Sequence, residues 1–142
     1  MKIQSVAVLF LLTLSVALDV QCQIAPNRYV MEAFTNEQIE LMSQERIEYL
    51  NYISQHAWEI VDIPEGKLNA DYPLLYRVDN ESKMALNSAL NCGELDSFNI
   101  LNFKYSIKTE RNYYRIEGCS KWLVLKSHKE ITAGFNEFKT IN

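Results

Sequence analysis

The sequence predicts an α+β fold in which one long N-terminal helix packs on an antiparallel β-meander. Two observations lead to this prediction. Apolar residues recur at helical spacing over residues 36–60, and the period becomes two beyond Tyr72. An amphipathic helix and a half-buried sheet bury their apolar surfaces in one core when they pack together.

The long helix has a start signal, an apolar face and a stop signal. Thr35 and Gln38 fit a capping box, in which each side chain bonds the other residue's backbone amide. Pro64 and Gly66 follow the pattern and end it. A short strand is expected before the helix, at residues 29–31. The apolar face of the helix comprises Ile39, Met42, Tyr49, Leu50, Ile53, Ala57, Ile60 and Val61.

The strands are expected in the second half of the chain. Alternating residues predict strands at 74–78 and 101–108, a turn at 109–112, a return over 113–118 and a further strand at 121–126. Residues 84–92 also alternate, and strand is preferred over the short helix that their Ala, Leu and Met content also allows. Ile131, Phe135 and Phe138 are spaced for a short C-terminal amphipathic helix.

This element order resembles the cystatin-like fold, in which a sheet wraps around one helix. The resemblance is topological, covers most of residues 23–142 and implies a protease inhibitor. The Gln-x-Val-x-Gly hairpin of inhibitory cystatins is absent, and Trp122 follows Lys121 instead of the proline of the second inhibitory loop. The resemblance therefore does not supply the known inhibitory residues.

The first 22 residues have the pattern of a secretory signal peptide. Lys2 precedes an apolar run at residues 6–18, which is short for a membrane span, and a polar break follows. Val20 and Cys22 suit the −3 and −1 positions of signal peptidase, so cleavage is expected between Cys22 and Gln23. An N-terminal membrane anchor is the alternative. Residues 23–142 then form a single secreted domain without a transmembrane segment.

Removal of Cys22 leaves Cys92 and Cys119, which are expected to pair in an oxidising compartment. A disulfide that closes this loop of about 27 residues would raise the free energy of unfolding by about 3 kcal/mol, because it constrains the unfolded chain. Two buried thiols, or a disulfide between chains, are the alternatives. Asn80 lies in an Asn-x-Ser sequon, so it is a glycosylation candidate in a secreted chain.

Charge is distributed unevenly along the chain. The net charge is −4, but residues 23–97 carry 13 acidic and 5 basic residues, whereas residues 98–129 carry 7 basic and 2 acidic ones. An acidic secreted protein is a poor partner for nucleic acid. The hydrophobic content of 48% argues against disorder.

No catalytic or metal-binding motif is present in the sequence. The two histidines, His56 and His128, are far apart and lack the short spacings typical of metal ligands. Carboxylate pairs such as Glu45 and Glu48 are interpreted as part of a solvated helix face and not as a catalytic acid and base. The protein is therefore expected not to be an enzyme and to need no cofactor.

A basic and aromatic face is the candidate binding site. Strand alternation places Tyr114 inside and Tyr113 outside, and an exposed tyrosine beside an arginine suits an interface. The expected partner is an extracellular protein or an anionic surface, and neutralisation of the basic groups by the chain's own acids is the alternative. The predicted function is a small, secreted, non-enzymatic binding protein, with protease inhibition and histidine-based catalysis as alternatives. The face comprises Lys104, Lys108, Arg111, Tyr113 and Arg115.

Overall fold

The computed structural model describes residues 23–68 and 70–141, so the predicted signal peptide, residues 1–22, lies outside the described residues. This part contains helices α1 (Arg28–Ala33), α2 (Asn36–Glu40), α3 (Gln44–His56) and α4 (His128–Ile141). The strands are β1 (Trp58–Asp62), β2 (Tyr76–Val78), β3 (Ala85–Ala89), β4 (Asn112–Arg115) and β5 (Lys121–Leu125). Helices and antiparallel sheets confirm the α+β class.

The single long helix predicted for residues 36–60 is wrong, because this segment forms α2, a break, α3 and then β1. The capping box is present: Thr35 Oγ1 accepts from Gln38 N, and Gln38 Oε1 accepts from Thr35 N. After α2 ends, the Ser43 side chain accepts from Arg46 N and starts a new helix. A side chain that caps a second N-terminus interrupts a continuous helical pattern.

The last predicted helical turn is instead strand β1. Ile60 and Val61 are β-branched and pack better on a pleated surface than in a helix. All residues of β1 pair antiparallel with β5, which is distant in the chain. The turn at Pro64 and Gly66, where Gly66 has a φ of +81°, therefore follows a strand.

The predicted first strand, residues 29–31, is also wrong, because these residues lie in α1. The Asn27 side chain caps α1 by accepting from Val30 N at 3.0 Å. Asn51 Nδ2 donates to Ala25 O at 2.9 Å and Asn51 Oδ1 accepts from Asn27 N at 2.8 Å, which fastens the segment before α1 to α3. These hydrogen bonds of the buried Asn51 stabilise helix α1 at residues for which the sequence predicted a strand.

The strands form two separate sheets. One has the order β1–β5–β4, and the other is the β2–β3 hairpin. The preference for strand over helix at residues 84–92 is confirmed for β3. The hairpin of β4 and β5 turns at Gly118, which has a φ of +78° that favours glycine.

The strand predicted for residues 101–108 is not formed. Asn99 accepts from Leu101 N at 3.1 Å and caps a 3₁₀ turn at Ile100–Asn102. Beyond it, Phe103 makes only an isolated antiparallel bridge to Arg77, and the following residues are irregular. Local capping by an asparagine side chain competes with strand pairing here.

One buried cluster joins α3, α4 and the inner face of the three-stranded sheet. The predicted C-terminal helix is confirmed and is longer than expected, with Ile131 and Phe135 buried. Tyr52 of α3 contacts Phe135 of α4 with ring centroids 5.7 Å apart. The cluster includes Leu50, Ile53, Leu101, Phe103, Tyr114, Ile116, Leu123, Leu125, Ile131 and Phe135.

Candidate binding site

The outer face of the three-stranded sheet carries the candidate site. The register pairs Val124 of β5 with Glu59 and Tyr113, and pairs Trp122 with Val61 and Arg115. Side chains alternate along a strand, so these two rows share one face while Tyr114 and Leu123 face the core. The sequence-based placement of Tyr113 outside and Tyr114 inside agrees with this arrangement.

Three aromatic rings from separate segments meet on this face. Tyr72, which precedes β2, stacks on Tyr113 with centroids 5.2 Å apart and planes 20° apart. The Trp122 ring contacts both tyrosines edge-on, with its centroid 5.0 Å from that of Tyr72 and 5.7 Å from that of Tyr113. Trp122 is only 3% exposed, so the two tyrosines provide the accessible surface.

These rings form part of an open groove of about 330 Å³, here called the outer-sheet groove. The half-buried Val61 contributes apolar surface and Val124 is buried beneath the groove, whereas Lys67 contributes an exposed cation. An apolar centre with a polar rim is the usual anatomy of a protein–protein interface. The groove is lined by Glu59, Val61, Asp62, Pro64, Lys67, Tyr72, Arg111, Tyr113, Trp122 and Val124.

Arg111 is neutralised by two glutamates. Its Nη2 lies 2.6 Å from Glu130 Oε1, and its Nη1 lies 2.9 Å from Glu59 Oε1. The hydrogen bond to Glu130 raises the pKa of Arg111. The same bond, together with hydrogen bonds from Ser127, lowers the pKa of Glu130 to about 2. The expected alternative, neutralisation by the chain's own acids, therefore applies to this arginine.

Glu130 connects this ion pair to the start of α4. Glu130 Oε2 accepts from Ser127 N at 2.9 Å, while Ser127 Oγ accepts from Glu130 N at 3.3 Å. This reciprocal pattern is a capping box. The carboxylate thus caps α4 through Oε2 and holds Arg111 through both of its oxygens, which makes Arg111 a structural residue at one end of the groove.

Arg115 and Lys67 are the cations that remain available to a partner. Arg115 Nε donates to Tyr72 O at 2.7 Å, which positions the loop that carries the stacked tyrosine. The Arg115 side chain is otherwise exposed, and so is Lys67. A guanidinium with free donors recognises carboxylates with defined geometry.

The other two predicted face residues lie elsewhere. Lys104 N donates to Tyr76 O at 2.8 Å, which places Lys104 beside β2, and Lys108 O accepts from His128 N at 2.8 Å at the start of α4. Between them, Ser106 N donates to Tyr114 Oη at 3.2 Å, on the face of β4 opposite Tyr113. The five predicted residues therefore divide into two on β4, Tyr113 and Arg115, with Arg111 just before that strand, and two separate lysines.

Cys92 and Cys119 are adjacent in the structure, as thiols. Cys92 N donates to Glu117 O at 2.8 Å, which joins the end of β3 to the β4–β5 turn. Burial, and then a hydrogen bond with Cys92, raises the pKa of Cys119 to about 11. The fold thus brings together the two residues predicted to pair, and their disulfide stays a prediction.

The glycosylation candidate Asn80 has a structural role. Its Nδ2 donates to Ala33 O at 2.8 Å and to Leu101 O at 3.2 Å, which connects α1 to the 3₁₀ turn. Attachment of a glycan replaces a hydrogen on this same nitrogen. Glycosylation of Asn80 therefore requires that at least one of these bonds be lost, and it stays a prediction.

The two histidines have different surroundings. His56 packs against Tyr52 and Phe138 with ring centroids 5.4 and 5.8 Å apart, and His128 begins α4. Within residues 23–68 and 70–141, no three His, Cys, Asp or Glu side chains are grouped to hold a metal ion. In the same part of the chain, no helix has the length and apolar character needed to span a membrane.

Sequence reasoning missed Tyr72, Trp122, Glu59 and Val61 as members of the site. Val61 was expected on the apolar face of the predicted helix, although residues 58–62 have the composition of a strand. No local signal connects Tyr72 with Tyr113, because a loop contact between distant residues depends on tertiary packing. Comparison with known proteins finds no matching family, no curated protein with significant similarity and no matching solved structure.

Proposed function

We propose that this protein is a small secreted binding protein that recognises an extracellular protein through the outer-sheet groove. The signal-like pattern of residues 1–22 supports secretion, with residues 23–142 as one mature domain. Cys92 and Cys119 lie within hydrogen-bonding distance of each other, and in an oxidising compartment such neighbours would pair. The proposal includes no cofactor, no nucleic acid and no catalytic step.

The observation that carries the proposal is the stacked, half-buried tyrosine pair, which lies near two exposed cations. Tyr72 and Tyr113 offer a rigid, partly apolar surface at low cost in side-chain entropy. Lys67 lines the groove and Arg115 is held next to it by its hydrogen bond to Tyr72 O, while Arg111 is already paired. The partner that fits this pattern presents an apolar side chain next to a carboxylate.

The test is affinity capture from the native secreted fluid with matched variants. Lys67→Glu should weaken capture of the specific partner, because it replaces a rim cation with an anion. Lys104→Glu is the control, since it makes the same charge change at an exposed lysine beside β2. Equal capture by wild type and both variants would refute the role of the groove's rim.

A second matched pair tests the aromatic surface. Tyr113→Ala should abolish partner capture, whereas Tyr49→Ala should retain it. Tyr49 also stacks on an aromatic ring, Phe135 at 5.2 Å, but it lies between α3 and α4. Each variant's urea unfolding curve identifies loss of fold, so that a binding defect is scored only for folded protein. Capture lost equally in both folded variants would contradict the proposal.

The protease-inhibitor alternative rests only on the order of elements. The structure divides the predicted helix and splits the strands into two sheets, so that support is weaker than the sequence implied. Titration of a papain-type protease with up to micromolar protein separates the two functions. Stoichiometric inhibition of the protease would favour the inhibitor function over the proposed binding function.

Histidine-based catalysis is the remaining alternative. A His56→Ala, His128→Ala double variant with unchanged biological activity would argue against it.

A further inference from the structure

A second open groove, here called the hairpin groove, lies between the α1–α2 junction and the β2–β3 hairpin. Its volume is about 380 Å³, and its lining residues differ from those of the outer-sheet groove. Phe34 and Val78 are half-buried in it, and Leu86 is 45% exposed. A partner that covers these three apolar side chains removes their surface from water, which favours binding.

Hydrogen bonds between its walls fix the shape of the hairpin groove. Asn80 Nδ2 donates to Ala33 O at 2.8 Å, and Gln38 Nε2 donates to Asn80 O at 3.4 Å. These contacts join the turn of the hairpin to both α1 and α2 through residues that also line the groove. A groove with walls that are already fixed loses little conformational entropy when it binds a partner.

The charged side chains of the hairpin groove are all acidic. They are Glu32, Asp79 and Glu81, and among the described residues no lysine, arginine or histidine lines the groove. None of the three takes part in an ion pair within residues 23–68 and 70–141. They belong to the segment, residues 23–97, in which 13 acidic residues outnumber 5 basic ones. Part of this acidic excess is therefore collected in one groove.

The immediate surroundings of these carboxylates leave their negative charge in place. Arg28, one turn before Glu32 on α1, is directed to Tyr29: its Nη2 donates to Tyr29 Oη at 2.7 Å, and its guanidinium lies over the ring. Asp79 Oδ2 accepts from Ser82 Oγ at 2.8 Å, a neutral donor. This bond lowers the pKa of Asp79 and keeps the carboxylate ionised. The groove therefore offers its negative charge to a cation from outside.

From the apolar surface and the charge of this groove we infer that it binds a basic segment of a second protein, in which arginine or lysine alternates with apolar residues. The stem of such a cation packs on apolar surface while its charged end reaches a carboxylate. An arginine can also bond both oxygens of one carboxylate. An interface of this size is small, so binding is weak. The inference goes beyond the proposed function, because the outer-sheet groove is proposed to bind a carboxylate and the hairpin groove a cation.

Calorimetric titration of the full chain, purified from secreting cells, with synthetic peptides tests this inference. The probe is an acetylated and amidated hexapeptide of alternating leucine and arginine. Its two controls replace every arginine by glutamate or every leucine by serine. The probe should bind with a dissociation constant between about 10 μM and 1 mM, and at least about tenfold more tightly than either control. Its binding should weaken as the salt concentration rises, because salt screens exposed charges.

Two matched pairs of variants locate the bound peptide. Glu81→Lys should weaken its binding by at least about fivefold, because like charges then meet in the groove. Glu137→Lys makes the same change at an exposed site on α4 and should leave binding unchanged. Leu86→Ser should also weaken binding, and its control is Leu41→Ser, at a leucine that is 88% exposed outside the groove. Urea unfolding curves show that each variant is folded.

Further results separate this groove from the outer-sheet groove. Tyr113→Ala should bind the probe as the wild type does, and loss of binding in this folded variant would overturn the inference. So would equal binding of the glutamate peptide, absence of binding up to about 1 mM, or binding that both Glu81→Lys and Leu86→Ser leave unchanged. A glycan on Asn80 in all of the secreted protein, seen in its intact mass, would overturn it as well, because Asn80 lines the groove and a glycan there would cover it.

Discussion

Replacement of Gly134 by alanine provides a sharp test of the helix packing. Alanine in a helix interior is normally about 1 kcal/mol more favourable than glycine. At Gly134, however, a Cβ atom would overlap Tyr52 Oη and lie only 3.0 Å from Tyr52 Cζ. Tyr52 is 5% exposed and is held by Phe135 and Phe138, so its ring has little room to move.

Overpacking of this kind costs about 1–3 kcal/mol, which exceeds the gain in helix propensity. Gly134→Ala should therefore lower the free energy of unfolding by about 1 kcal/mol. Urea denaturation measures this change, with an unchanged m-value as the sign of two-state unfolding. Asn136→Ala, an exposed substitution in the same helix, should raise the free energy by about 0.5 kcal/mol.

A double variant separates the clash from other effects. Tyr52→Phe removes the oxygen nearest to the added Cβ atom. In that background, Gly134→Ala should cost less than it does in the wild type, and this difference is the interaction energy of the pair. If Gly134→Ala stabilises the wild-type protein as Asn136→Ala does, the close approach of α4 to α3 is refuted.

Two further predictions concern the cysteines and the pH dependence of stability. Formation of a Cys92–Cys119 disulfide should raise the free energy of unfolding by about 3 kcal/mol; urea curves before and after reduction measure it, and identical curves would reject the pairing. Because the folded pKa of Glu130 is depressed to about 2 from 4.5, its contribution should be complete above pH 4.5 and be lost as pH falls towards 2. This contribution is at most about 1 kcal/mol, because the ion pair with Arg111 is exposed and screened. Acid denaturation of Glu130→Gln should show less of this loss than the wild type, and identical pH profiles would contradict the assignment.

The parts of the fold that were predictable depend on neighbouring residues. The capping box of Thr35 and Gln38, the strand character of β3, and the amphipathic C-terminal helix each follow from local spacing and side-chain chemistry. The outward direction of Tyr113 follows from alternation in the same way. Such signals survive in the folded chain because tertiary packing agrees with them.

The parts that were not predictable depend on residues far apart in the chain. Ile60 and Val61 fit either a helix or a strand, and pairing with β5 decided the outcome. The irregular course of residues 101–108 depends on capping by Asn99 and on a single bridge to Arg77. Neither the pairing with β5 nor the capping by Asn99 can be recognised from the spacing of apolar residues.

By itself, the sequence determined the α+β class, the element types with strong local signals, and the chemistry available on β4. Tertiary structure alone decided how those groups are used. It paired Arg111 with Glu59 and Glu130, brought Tyr72 onto Tyr113, and separated Lys104 and Lys108 from them. The physical reason is that spacing along a strand orders side chains on one element, whereas an interface is assembled from several elements whose contacts only packing establishes.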